Sequence, residues 1–184
     1  IGGNGSRSLD FDSYANWDEY YSYGYDAIMT HYDRNSMEVA VEKQSMTEED
    51  YVRLEGNIEQ NVLTLARENP QIDFYIYISP YSIYCMDYWN RLGELEKRLD
   101  AEKRVIELLL SCENIHVFSF NTAYDVICNA DNYRDVAHHR EEVNSQILQW
   151  MKEGQYKLTL ENYEAYCEEE REFFLNYDYE ALFQ

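Results

Sequence analysis

The spacing of apolar side chains predicts a helix over the first regularly patterned stretch, residues 47–69. Thr47, with Asp50 three residues later, is typical of a helix N-cap. The apolar positions that follow recur on one helical face and are Tyr51, Leu54, Ile58, Val62 and Leu65. Pro70 disfavours helical geometry at Asn69, so the helix is predicted to end there.

Two short apolar runs farther along predict β-strands that are joined by a helix. Residues 74–78 are apolar or aromatic at every position, which predicts a central strand buried on both faces. A loop at residues 79–91 follows, and residues 92–110 then carry an apolar helical stripe opposite a charged face. Residues 115–120 form the second run of strand length. Strand, helix and strand in this order predict a βαβ unit with parallel strands.

The C-terminal part of the chain is predicted to hold a polar loop and two more helices. The loop covers residues 121–139 and ends immediately before a helix that begins near Arg140. That helix is marked by Val143, Ile147, Leu148 and Met151, and Gly154 is predicted to cap its C-terminal end. The last helix is predicted to start near Thr159.

Residues 1–45 show no sustained helical or strand period and are rich in Tyr and Trp, especially between positions 11 and 25. Aromatic side chains supply a large packing area and can also stack on sugar rings, so a structural and a ligand-binding role both stay open. The length and pattern predict one domain over residues 1–184, with an irregular aromatic-rich segment at 1–45 and an α/β core at 46–184.

Composition narrows the classes of partner. The formal net charge is -21, from 36 acidic and 15 basic side chains, so the chain repels phosphate backbones and anionic lipid headgroups. Nucleic acid and membrane surfaces are therefore not expected as partners. No apolar stretch has membrane-spanning length and no signal-peptide pattern is present, which predicts a soluble chain. The Gly-rich start after Ile1 is expected to be a truncated or processed end.

Four cysteines, none in a C-x-x-C pair, favour free thiols over a zinc or redox centre. Two disulfides remain an alternative in an oxidising compartment.

Candidate chemistry lies in the two predicted loops, because loops at the carboxyl ends of parallel strands share one crevice. Tyr81 and Ser82 in the first loop are candidate binding residues. In the second loop Asp135 lies three residues before His138, a spacing that lets the carboxylate orient the imidazole as a general base. A solvated His138, or one bonded to Asp135 for stability alone, is the alternative interpretation. The adjacent His139 is predicted to point elsewhere if the turn is helical, either as a surface residue or as a residue behind the site.

No metal or other cofactor is predicted. The acidic and histidine side chains near this loop lack an H-x-x-x-H pairing and are Asp131, Asp135, His138, His139 and Glu142. His31 and His116 have no obvious acidic partner nearby in the sequence and are predicted to be structural.

Several runs resemble the C-terminal portion of SGNH/GDSL hydrolase-like proteins of Gram-positive anaerobes. The similarity covers roughly residues 45–180, and its most specific part is the D-x-x-H block with the helix behind it. The runs that carry it are residues 69–70, 74–76, 79–83, 114–120, 125–129, 131–139, 142–144 and 147–148.

This resemblance implies a flavodoxin-like three-layer sandwich and the hydrolysis or transfer of ester-linked acyl groups, such as those on cell-surface carbohydrate. By the same resemblance Asp135 is the orienter, His138 is the general base, and the protein is a bacterial extracytoplasmic one. The nucleophilic Ser of the family follows its first strand in a G-x-S turn, and this turn and the Asn and Gly donors of the oxyanion hole have no counterpart here. Ser6 after Gly5 is similar only superficially.

The nucleophile is therefore expected upstream of Ile1. A hypothesis from another class is a non-catalytic surface module on the same fold, which binds glycan or peptide through the aromatic segment and Tyr81.

Overall fold

The computed structural model describes residues 21–183, in which helices surround a small β-sheet. The strands are β1 (Phe74–Ile78), β2 (Ile115–Ser119) and β3 (Lys157–Leu158). The helices are α1 (Tyr25–His31), α2 (Glu48–Ile58), α3 (Thr64–Glu68), α4 (Ile83–Arg91), α5 (Leu95–Leu109), α6 (Tyr124–Ile127), α7 (Glu141–Glu153) and α8 (Tyr163–Asn176). Short 3-10 turns lie at Arg34–Ser36, Ala130–Asn132 and Tyr179–Phe183.

The first predicted helix is confirmed, and its N-terminus is closed by a capping box. The Thr47 hydroxyl accepts a hydrogen bond from the Asp50 backbone N–H at 3.1 Å, and the Asp50 carboxylate accepts one from the Thr47 N–H at 3.1 Å. A π-helical turn at Glu59–Leu63 joins α2 to α3, which ends at Glu68 as expected. The capping box thus satisfies two backbone N–H groups at the start of α2, those of Thr47 and Asp50.

The βαβ unit is also confirmed, because β1 and β2 are parallel and are connected through α4 and α5. The expectation of a parallel sheet holds only for this pair. β3 pairs antiparallel with β2, with Val117 opposite Leu158, so the sheet is mixed. A strand of two residues carries too little alternation to be recognised in the sequence.

The prediction that β1 is a central strand, buried on both faces, was wrong. Within the described residues β1 lies at the edge of the sheet, and its side chains alternate between partly buried and exposed. Tyr75 is 59% exposed and Tyr77 is 40% exposed. On β2 the same face is covered, since Phe118 packs in a cluster with Val143 and Ile147 of α7. The helix on this face thus covers β2 and leaves the aromatic side chains of β1 in solvent.

The two predicted loops contain short helices that the sequence analysis missed. Helix α4 occupies most of residues 79–91, and α6 with a 3-10 turn occupies part of residues 121–139. The last helix begins at Tyr163 rather than near Thr159, because residues 159–162 form a turn in which Asn162 accepts from the Thr159 N–H at 2.8 Å. Gly154 caps α7 in the left-handed conformation, as predicted.

Two large apolar clusters hold these elements together. One lies between the sheet and the α2, α3, α5 and α8 helices, and its fully buried members include Ala66, Ile106 and Val117. The other joins α1, α4, α5 and α8 around Ile28 and Phe174. All four cysteines are free, which confirms the expectation of free thiols. Among the described residues no helix combines the length and apolarity needed to cross a membrane.

Replacement of Thr47 by Ala should lower the free energy of unfolding by about 1 kcal/mol, because α2 loses its capping hydroxyl. Urea unfolding followed by far-UV circular dichroism measures this change. Thr30→Ala is the matched control, since the Thr30 hydroxyl is exposed and bonds only the Asp26 carbonyl one turn earlier. Equal stability of the two variants would contradict the capping role.

Candidate acid-base site

The two loops that follow the parallel strands meet, as their positions in the chain predict. The buried Tyr133 hydroxyl donates to the Pro80 carbonyl at 2.7 Å. The Ser82 hydroxyl donates to the Val136 carbonyl at 2.6 Å, and the Ser82 N–H donates to the same oxygen at 3.3 Å. Residues 129–139, named here the dyad loop, are thereby fixed to the carboxyl end of β1.

Asp135 and His138 are in direct contact within the dyad loop. The two Asp135 carboxylate oxygens lie 2.8 and 2.9 Å from His138 Nδ1. Asp135 Oδ1 also accepts from the backbone N–H groups of Ala137 at 2.9 Å and His138 at 2.8 Å. One carboxylate therefore folds the turn and orients the imidazole that the turn carries.

The same contacts keep the Asp135 carboxyl ionised. Burial acts to raise the pKa of Asp135, but hydrogen bonds from the Ala137 N–H, the His138 N–H and the His138 ring outweigh it and lower that pKa. The Arg134 guanidinium donates to the carboxylate as well, at 3.2 Å. Because an ionised carboxylate only accepts, Nδ1 carries the proton and Nε2 is the nitrogen that can take one from a ligand.

An open cavity of about 540 Å³ lies beside this pair. Its wall includes Tyr23, Ser79, Tyr81, His138, His139 and Asn144. The side chain of His138 is 60% exposed, whereas that of Asp135 is 15% exposed. The imidazole is therefore open to the cavity, while the group that orients it is shielded from water.

His139 does not point elsewhere, because it lines the same cavity as His138. Its partly buried ring packs edge-on against Tyr133, with centroids 6.3 Å apart, and it lines the cavity. Burial lowers the pKa of His139, although a hydrogen bond with the Arg140 carbonyl acts in the opposite direction. An antiparallel backbone bridge places His139 opposite Tyr133. A second imidazole therefore lies next to His138, and its lowered pKa favours the neutral form.

The two candidate binding residues of the first loop differ in placement. Tyr81 lies on the cavity wall, where its ring contacts Trp89 edge-to-face at 5.4 Å. Ser82 is fully buried, and its hydroxyl caps α4 by accepting from the Cys85 N–H at 3.3 Å. Ser82 thus caps a helix and is not one of the residues that line the cavity. Ser79, which directly follows β1, lies on the cavity wall instead. Its position at the carboxyl end of a strand is the sequence feature that could have identified it.

The described end of the aromatic-rich segment packs on the dyad loop. The Arg134 guanidinium lies 4.0 Å from the centre of the Tyr21 ring, and that of Arg140 lies 4.9 Å from the Tyr23 ring. The Gly24 N–H donates to the Tyr133 carbonyl at 2.9 Å. Ser6 and the aromatic residues at positions 11–20 lie outside the described residues.

The remaining histidines lie away from this cavity wall. His116 has an acidic partner after all, since its Nε2 is 3.2 Å from Asp73 Oδ1, a neighbour that precedes β1 in the sequence. His31 is exposed at the end of α1. Within residues 21–183 no group of three or more His, Cys, Asp or Glu side chains could hold a metal ion.

Asp135→Asn should destabilise the fold by about 1–2 kcal/mol at neutral pH, because the turn loses charge-assisted hydrogen bonds. A carboxyl with a lowered pKa contributes stability above its unfolded pKa, and that stability is lost as the pH falls through the folded value. Urea unfolding at pH 7 and at pH 3 should therefore show a smaller difference between variant and wild type at pH 3. Asp178→Asn, at an exposed position, should show no such trend.

The sequence matches no protein-family model, and neither a curated protein nor a solved structure shows significant similarity to this chain.

Proposed function

We propose that the protein is a serine esterase or O-acyltransferase of SGNH type that acts on ester-linked acyl groups. The observation that carries the proposal is the contact between Asp135 and His138 Nδ1 at the edge of an open cavity. A general base that activates a hydroxyl nucleophile needs an exposed imidazole and a shielded carboxylate that orients it. The substrate needs space beside the imidazole, which the cavity provides.

In the proposed reaction His138 Nε2 removes the proton from a serine hydroxyl, and the oxygen attacks the acyl carbon of the ester. The imidazolium, stabilised by Asp135, then gives this proton to the departing alkoxide oxygen, which leaves as the alcohol. Water, or the hydroxyl of an acceptor, next attacks the acyl-enzyme and passes its proton to His138. The bond between the serine oxygen and the acyl carbon then breaks, and His138 returns the proton to that oxygen. The acyl group leaves as the carboxylic acid or as the ester of the acceptor, so atoms and charges balance over the cycle.

The nucleophile is proposed to come from upstream of Ile1, as the resemblance implies. Ser79 is the alternative within the chain, because it shares the cavity wall with His138. The substrate is proposed to be an acylated carbohydrate. The aromatic side chains of Tyr23 and Tyr81 on the cavity wall suit a sugar ring, while the net charge of -21 disfavours a polyanionic polymer.

The flavodoxin-like sandwich and an extracytoplasmic location are parts of the same proposal. The parallel pair β1 and β2, with the cavity at the carboxyl end of β1, supports such a fold. The location rests on the resemblance alone.

His138→Ala should lower the rate of acyl-ester hydrolysis by about 10³-fold, because the general base is lost. The assay uses the protein together with any upstream residues encoded with it, and a chromogenic acetyl ester as substrate. His31→Ala is the matched control, since His31 is exposed and does not belong to the dyad loop. Unchanged turnover in a folded His138→Ala protein would refute the proposal.

The source of the nucleophile can be separated from the role of the base. A fluorophosphonate probe should label the active protein at one serine, and mass spectrometry of the labelled peptide identifies it. Label at Ser79, lost in Ser79→Ala, would place the nucleophile on the wall beside His138. Label at a serine upstream of Ile1, with Ser79→Ala still active, would support the upstream origin.

A glycan-binding module without catalysis is the second candidate, favoured by the two tyrosines on the cavity wall. In that case Tyr81→Ala should weaken binding of cell-wall glycan about tenfold in calorimetry, through the loss of ring stacking. Tyr88→Ala, which replaces an exposed tyrosine that is not among the residues lining the cavity, serves as control. Binding without ester turnover, sensitive only to Tyr81→Ala, would favour this function over the first.

A further inference from the structure

Two glutamate side chains from different helices converge on a single amide beside the end of β2. The Asn121 Nδ2 group donates to Glu170 Oε1 at 2.8 Å and to the two carboxylate oxygens of Glu102 at 3.0 and 3.2 Å. Asn121 and Glu170 are each 2% exposed. Glu102 belongs to α5 and Glu170 to α8, so the Asn121 amide links the two helices through their carboxyl groups.

The hydrogen-bond donors around the two carboxyl groups carry no positive charge that could neutralise two carboxylates. The Ser119 hydroxyl donates to Glu102 at 3.3 Å and accepts from the Tyr166 hydroxyl at 2.8 Å, and both groups are neutral. The Asn121 Oδ1 atom is buried with no hydrogen-bond partner among the described residues. Two ionised carboxylates here would share one neutral amide and repel each other.

The charged and titratable groups around the pair come from three elements. Arg171, the residue after Glu170, forms its ion pair with Asp100, and Lys103 of α5 is exposed. The other titratable groups that act on or beside the pair are Tyr124, Tyr166, Cys167 and Glu169. The two nearby cations are thus directed to another carboxylate or to solvent, and Glu169 adds negative charge.

We propose that Glu102 and Glu170 hold at least one proton between them at neutral pH, and that this proton makes the contact between α5 and α8 a pH-sensitive clamp. When a carboxyl of the pair is protonated it becomes neutral and gains a hydroxyl donor, so the repulsion across the amide disappears. When both are ionised, the helices are joined through two like charges in a poorly solvated place.

The direction of the titration agrees with this geometry. Burial raises the pKa of Glu102 to about 7, against hydrogen bonds from Ser119 and Asn121 that lower it. Burial, and then the charge of Glu102, raise the pKa of Glu170 well above its ordinary value, against the hydrogen bond from Asn121 and the charge of Arg171, which act to lower it. A raised carboxyl pKa gives stability that is complete below the unfolded value of 4.5 and is lost as the pH rises through about 7.

Thermal unfolding of wild type, Glu170→Gln and Glu168→Gln at pH 5 and pH 8.5 tests the clamp. Gln is a neutral counterpart of the protonated Glu170, whereas Glu168 is exposed on the same helix and serves as control. Between the two pH values Tm of the wild type should fall by about 5 °C more than Tm of Glu170→Gln. Glu168→Gln should follow the wild type. Parallel pH profiles for the wild type and Glu170→Gln would overturn the proposal.

A measurement on the wild type keeps the proposal testable if Glu170→Gln does not fold. Carbon-13 NMR of the glutamate carboxyls should show at least one carboxyl that keeps its protonated shift at pH 6.5. Complete ionisation of all glutamates by that pH would overturn the shared proton. Neither result depends on ester hydrolysis, so the clamp and the proposed activity can fail separately.

Discussion

The carboxylate of Asp135 is the interaction on which the candidate site depends. It accepts hydrogen bonds from two backbone N–H groups of its own turn and from the ring of His138, so it shapes the turn and aims the imidazole at once. The same bonds keep the carboxyl ionised despite its partial burial. Without this group the turn would lose its internal acceptor, and the exposed ring of His138 would have no fixed direction.

Contacts with neighbouring segments hold the turn that carries Asp135 and His138 in place. Tyr133 is fully buried and reaches the Pro80 carbonyl, and Ser82 reaches the Val136 carbonyl from the start of α4. The guanidinium of Arg134 lies over the Tyr21 ring while it contacts Asp135. The two loops and the described end of the aromatic segment are therefore held together, and Tyr133 ties them to the core cluster around Ile28 and Phe174. The side chain of His138 stays exposed.

A second polar contact, separate from the candidate site, joins the C-terminal helix α8 to α5. Glu170 of α8 and Glu102 of α5 meet across Asn121, and the same two helices are also joined by the ion pair between Arg171 and Asp100. The protein carries a large excess of acidic residues, and most of them are solvated on the surface. Among the described acidic residues, burial raises the pKa of Glu102 and Glu170, because the cost of a charge depends on its surroundings.

The sequence by itself determined the helices with a long apolar period, the N-cap at Thr47, the C-cap at Gly154, the parallel βαβ unit and the three-residue spacing that brings Asp135 within reach of His138. All of these depend on neighbours within a few residues or on a repeated period, and such signals are local. Tertiary structure alone decided the edge position of β1, the short β3, the buried role of Ser82 and the place of Ser79 and His139 on the cavity wall. It also decided which glutamates are buried, because burial and pairing arise between segments far apart in the chain, where no local pattern records them.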